Sequence, residues 1–306
     1  MVALYLMTLL SLQLAACAGP SESSESRRER NIEKAAAVLE GKSDADSLAA
    51  AALLRQRDPA KTLELLTRAT RMAPDRPDLA WLQIQACGRV PGCDSNAEAE
   101  RLRTLDPANG AAWLPALAVA DKANDEAMRL STLSALARAD RIDVYWTTLI
   151  VHLTQPVIAA AHVSSQEALI EMLGVLSVAA VPAFRTVSQS CAGPRLDDPP
   201  TLHDCRAVAL AFSRGDTEIT EMEGADIAQR LWSEDSPQWL AANEARRVHK
   251  YRATQLARSA RYDWADSRAA DEFLDLCARN HREQDVELAE LAVDGKSPAP
   301  PPEWAP

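Results

Sequence analysis

Glycine and aromatic residues are scarce in this chain of 306 residues, which holds ten Gly, three Phe, four Tyr and seven Trp. Strands draw on β-branched and aromatic side chains; with alanine and leucine abundant instead, the composition argues for helices and against sheet. Positive charge is also in short supply. Acidic residues number 44 against 33 basic ones, a net charge of −11, which disfavours nucleic acid and direct adhesion to anionic lipid. No long hydrophobic run is present. The longest, Val2 to Ala16, covers about 15 positions, short of the ~20 that cross a bilayer core, and reads as a cleavable export signal.

The residue sets on which catalysis is usually built are missing too. There is no HExxH, GxSxG, GxxxxGK(S/T) or GxGxxG. His152, His162, His203, His249 and His281 are scattered, with no pair at the spacing of one helical turn, so no metal and no other cofactor is expected. With 44 carboxylates, two lying close together is expected by chance, and paired-acid hydrolysis stays open.

The apolar run ends in Leu14-Ala15-Ala16-Cys17, followed by Ala18-Gly19-Pro20 and the polar stretch Ser21 to Arg30. These residues resemble the signal of bacterial lipoproteins, in which lipid is attached to the cysteine thiol, the signal is removed before it and the new amine is acylated. The resemblance implies a signal peptide over 1–16, lipidation at Cys17 and a lipidated flexible tether over 17–30. Ala rather than Asp follows Cys17, which resembles the outer-membrane class, so the chain is expected to be held at the periplasmic face of the bacterial outer membrane. Each buried CH₂ contributes roughly 0.8 kcal/mol, so three acyl chains anchor permanently. The stretch before the run departs from the usual export pattern in carrying no Lys or Arg. A plain export signal cut near Ala16 or Ala18 is the alternative.

Export places the other cysteines in an oxidising compartment. Cys87 and Cys93 bracket GRVPG, and Cys191 and Cys205 bracket AGPRLDDPPTLHD. Both segments are turn-rich, so two local disulfides are predicted, with Cys277 left as a small buried hydrophobe in the apolar stripe 273–277.

From Asn31 onward, helices alternate with short polar breaks, the first over 32–39, 47–54 and from Asp58-Pro59 to Met72. Trp81, Trp113 and Trp146 recur at spacings of 32 and 33 residues, a period that signals stacked helical hairpins. Leu105-Asp106-Pro107-Ala108-Asn109-Gly110-Ala111-Ala112-Trp113 resembles the junction of tetratricopeptide repeats, and Met72-Ala73-Pro74 with Trp81 is a second partial junction. The resemblance covers about Ser47 to Gln155 and implies an all-α fold. In it, residues 31–160 form a TPR-like helical-hairpin solenoid, which continues into an irregular α-helical C-terminal region over 161–294. It also implies a partner-binding groove lined by Leu79, Leu82, Ala86, Leu114, Ala118, Asp121, Thr147 and Val151. The alternative is that these residues pack against the C-terminal half and leave no groove. Beyond Gln155-Pro156 the period is lost; helices are expected over 167–181, 206–212, 227–232, 238–260, 267–277 and 286–292. The Pro-rich tail 295–306 is expected to be disordered.

Arg246, Arg247, Lys250, Arg252 and Arg258 concentrate positive charge on an acidic chain, either as a basic patch for an anionic partner or as a solvated face paired with nearby carboxylates. Arg214-Gly215-Asp216 spells an adhesion tripeptide but falls where a helix ends and reads as a turn. Together these features point to a non-enzymatic envelope adaptor that binds a protein or peptide. A cell-envelope hydrolase acting on cell-wall glycan or peptide, with its site in the C-terminal half, is the alternative.

Overall fold

The computed structural model describes residues 24–304 except 162, 180, 181, 183 and 259–265. Cys17, residues 1–16 and the start of the expected tether therefore lie outside the described residues. The described residues are helical, with fifteen α-helices, two short 3-10 turns and no strand. In chain order the helices are α1 (Ser24–Glu40), α2 (Ala45–Leu54), α3 (Pro59–Met72), α4 (Pro77–Cys87), α5 (Asn96–Leu105), α6 (Leu114–Ala123), α7 (Glu126–Leu136) and α8 (Trp146–Ala161). They continue as α9 (Ser165–Ala179), α10 (Arg185–Ser190), α11 (Pro199–Phe212), α12 (Glu218–Leu231), α13 (Pro237–Leu256), α14 (Ser267–Arg279) and α15 (Glu283–Val293).

Many starts are fixed by a polar side chain one residue before the helix, which accepts an orphan N–H of the first turn. Asp44, Asp58, Asp125, Asp198, Thr217, Ser236 and Asp266 do this for α2, α3, α7, α11, α12, α13 and α14. Asp198 followed by Pro199-Pro200 explains why α11 begins inside what reads in sequence as a Pro-rich loop: proline in a first turn forfeits only an N–H that has no partner anyway. For a similar reason α1 reaches back to Ser24, into the segment expected as tether, because no Gly or Pro between Ser21 and Glu40 stops it. Helix α8 continues through Pro156, held by Leu149, Ile150, Leu153 and Val157 in the interior.

Helix α4 is buried around nearly its whole circumference and forms a wall between two cores, its enclosed Asp78 and Gln83 paired with Arg76 and with Thr70 and Glu98. Leu79, Leu82 and Ala86 face the first core, which α1, α2 and α3 build with α8, α9 and α14. Trp81, Ile84 and Ala80 face the second, built with α5, α6, α7, α11, α12 and α13. Both cores thus mix residues from 31–160 and 161–294. Consecutive helices from α1 to α5 pack on one another, as do α6 and α7, but α8 returns to lie on α1 and α2 as well as α9 and α14.

Two polar junctions lock the returning segments. Tyr145 precedes α8 with φ 61°, a left-handed conformation costly for a bulky side chain. The buried Asp216 carboxylate accepts the N–H groups on either side, of Val144 at 2.8 Å and Trp146 at 2.9 Å. The Tyr145 hydroxyl donates to Asp106 at 2.9 Å, and Arg141 donates two bonds to the same carboxylate at 2.8 Å. Gly215 is required by contact: a Cβ there would lie 2.5 Å from the Ile142 carbonyl and 2.3 Å from Thr220 Cγ2. The Arg214-Gly215-Asp216 tripeptide is accordingly a turn with its aspartate inside the protein.

Candidate functional site

Local pairing of the cysteines is as expected. Cys87–Cys93 and Cys191–Cys205 are disulfides with Cα separations of 5.4 and 5.5 Å, and Cys277 is a buried free thiol. Burial, with Glu290 and Glu283 nearby, pushes that thiol well above the ordinary cysteine range, so it stays protonated and unreactive.

The residues expected to line a TPR-type groove do not form one. Leu79, Leu82, Ala86, Leu114 and Thr147 are buried, and Val151 packs against the first core. Ala118 is exposed and Asp121 half-buried on α6, apart from these core positions. The physical reason is the return of α8 and α9 across α2 and α4, which seals the face that a linear stack leaves open.

The basic residues of α13 are largely committed within the chain. Arg246 pairs with Asp226, and Arg247 with Glu244. Arg247 also donates to the carbonyls of Pro301 and Trp304, and Arg252 donates to that of Pro298 at 3.1 Å. Lys250 and Arg258 are exposed. The tail that the sequence reads as disordered is therefore ordered through Trp304. The carbonyls of Pro298, Pro301 and Trp304 accept from α13 side chains, and that of Pro301 also accepts the Trp304 N–H at 2.9 Å, while the Trp304 ring meets Tyr251 edge-on at 5.4 Å.

Two features stand out as candidates. The first is a groove of about 250 Å³ over α11, α12 and α13, lined by Ala209, Leu210, Ser213, Glu221, Gly224, Ala225, Ala228, Pro237, Gln238, Ala241, Ala242 and Ala245. Seven of these twelve positions are alanine or glycine, and at Gly224 a Cβ would sit 2.6 Å from Ser213 N and 2.8 Å from the Ala209 carbonyl, so α11 and α12 touch backbone to backbone. Leu210 on its edge is 45% exposed. Glu221 is its one charged lining residue among the described residues.

The second is a buried acidic cluster behind Glu221. Gln284 donates to Glu221 at 3.1 Å. Glu218 opens α12, and its Oε1 lies 2.8 Å from His249 Nδ1. Its N–H donates to Glu283 at 2.8 Å, and its carboxyl shares a hydrogen bond with Glu287. Burial raises Glu283 to about 7 and, with the hydrogen bond to Glu218, raises Glu287 to about 10. For Glu218, burial works upward but the bonds from His249 and Glu287 win, so it stays below the ordinary range. His249 is raised by its bond to Glu218. Asp216 is raised to about 7 by burial and by Asp143. Glu287 Oε2 and Gln284 Oε1 are enclosed with no partner. The i,i+4 pair Glu283 and Glu287 was the available sequence signal for this cluster.

A larger open cleft of about 1100 Å³ between α1, the α2–α3 turn and α9 is lined by charges that neutralise one another. Arg55 joins Glu33 and Glu40, and Lys61 joins Glu40 and Glu64. Among the described residues no group of His, Cys, Asp or Glu is placed to hold a metal ion, and no helix is long and apolar enough to cross a membrane. Comparison with family models, curated proteins and solved structures finds no match to this chain.

Proposed function

We propose that the chain is a lipid-anchored envelope protein that works without catalysis, as an interaction module docking a protein or peptide partner at the periplasmic face of the outer membrane. The observation that carries this reading is the alanine-lined groove over α11–α13, apolar, shallow and without converging titratable groups. The Cys17 signal supplies the anchor, and pairwise packing from α2 to α7 is consistent with divergent hairpin repeats as the scaffold. A photo-crosslinking residue at Leu210, compared with the same residue at the exposed Val178 on α9, tests the docking. A discrete adduct at Leu210 alone is expected; equal labelling at both positions would refute it. The anchor has its own test, since Cys17→Ser is expected to abolish incorporation of labelled palmitate, and persistent labelling would contradict lipidation.

One observation favours the second reading, a cell-envelope hydrolase acting on cell-wall glycan or peptide: Glu283 and Glu287 are carboxyls raised toward the range a general acid needs. Against it, the groove reaches Glu221 and not Glu287. Release of soluble fragments from cell-wall material, lost in Glu287→Gln, is the result that would establish it.

A further inference from the structure

The two orphaned oxygens on α15 and the tail that straps α13 belong to one arrangement. The groups acting on Glu287 are Glu218 from α12, Arg252 from α13 and Glu283 from α15 itself; His249 and Glu283 bind Glu218, Gln284 binds Glu221, and α14, also packed on α15, brings the Cys277 thiol near Glu283 and Glu290. Arg282, just before α15, donates to the Gly215 carbonyl at 3.1 Å, and Glu283 N–H donates to the Asp216 carbonyl at 2.8 Å. Glu218 and Glu287 meet carboxyl to carboxyl, and two carboxylates in that contact repel unless one carries a proton. Glu287 is the one that must carry it. Its Oε2 is enclosed and has no donor, so an ionised Glu287 would bury bare charge, whereas Glu218 has His249 Nδ1 at 2.8 Å; Arg252 faces both.

Arg252 extends the network outward. It faces Glu218 and Glu287 on one side and donates to the Pro298 carbonyl on the other. Lys296 donates to the Gln255 carbonyl at 2.7 Å, so α15 leads directly into a strap pinned along α13 and ending on Tyr251.

We propose that the Glu218–Glu287 contact is a proton-held latch, in which one shared proton fastens α15 and the strap 296–304 onto α12 and α13, and loss of that proton as pH rises releases them together. In the released state Glu287 meets water and ionises as an ordinary glutamic acid. Opening then sheds one proton, and the opening constant rises about tenfold for each pH unit over the range in which the closed site keeps its proton. His249 works in the same direction, since the closed state also favours its protonated form.

The test is hydrogen exchange of the full oxidised chain between about pH 7 and about pH 9, corrected for the intrinsic rate and read over α15 and 296–304, in the wild type and in Glu287→Gln. The amide keeps a donor toward Glu218 but cannot ionise. The expected result is an opening constant that climbs at least about tenfold per pH unit in the wild type and about tenfold per unit less steeply in Glu287→Gln, where only the His249 contribution remains. Equal pH dependence in the two proteins overturns the latch. Should Glu287→Gln fail to fold, the infrared carbonyl band of a protonated carboxyl in the wild type at about pH 8 decides. Its presence in the folded protein, and loss on unfolding at the same pH, supports the proposal; its absence overturns it.

Discussion

The two cores on either side of α4 are built in different ways. The first is made of alanine and leucine: Ala49, Ala50, Ala51 and Ala52 are all fully buried on α2, and its only cysteine is the free Cys277. The second gathers Trp81, Phe184, Phe212, Trp113 and Trp232, with Phe184 and Phe212 edge-to-face at 5.1 Å. It contains the Cys191–Cys205 disulfide, and Cys87–Cys93 closes the turn from α4 toward α5. Small side chains let helices approach closely with little freedom to repack, so the first core specifies itself by contact. The second fills space with a few large rings and fixes its irregular connections covalently. The acid cluster lies beyond both, where α12 and α13 meet α15, and it has no counterpart beside α1–α3, where carboxylates such as Glu33 are held low, first by hydrogen bonds from arginine.

That contrast predicts unequal responses. Trp81→Ala empties the largest fully buried side chain and is expected to cost about 3–5 kcal/mol in chemical denaturation. Ala50→Leu overfills the first core and is expected to cost about 1–3 kcal/mol, a penalty that a space-filled aromatic core spreads over more neighbours. Removing Cys191–Cys205 is expected to cost ~3 kcal/mol and removing Cys87–Cys93 ~2 kcal/mol, the shorter loop constraining the unfolded chain less. Both belong to thermal or denaturant unfolding of Cys→Ala pairs.

The pH response separates the regions again. Asp216 and Glu283 are raised to about 7 and Glu287 to about 10, so each contributes stability that is complete below its unfolded value and is lost as pH rises through its folded one. Stability measured by denaturation is expected to fall from about pH 4 to about pH 10, most steeply up to about pH 7 while all three groups contribute, with the loss arising in α12–α15, the strap and the Val144–Trp146 junction that Asp216 holds. No fall over that interval would contradict the burial of these groups. The smallest effect is expected at the surface: Arg246→Ala removes a half-exposed pair with Asp226 and is expected to change stability by less than about 1 kcal/mol.

Much of this was legible from local chemistry. Helix content followed from composition, the disulfides from cysteines bracketing turn-rich loops, and the start of α3 from Asp58-Pro59, because capping and turn formation involve near neighbours. What the sequence hid is non-local. The period of Trp81, Trp113 and Trp146 suggests an open stack, yet nothing in that period reports that α8 comes back onto α1 and α2 and α9 onto α4, leaving Leu79 and Thr147 buried. The Pro-rich tail looks unable to order itself, and it orders because Arg247 and Arg252 of α13 donate to its carbonyls. Glu218, His249 and Glu287 come from three helices, and only the packing of those helices makes them a cluster.

Hydrogen exchange of the full chain before and after disulfide reduction, at one pH, tests most directly whether two differently built cores share α4. The account predicts that α5 and α10–α12 lose protection on reduction while α1–α3, α8 and α9 keep theirs. Equal loss across both sets of helices would contradict it and mark the chain as a single cooperative core held by its disulfides throughout.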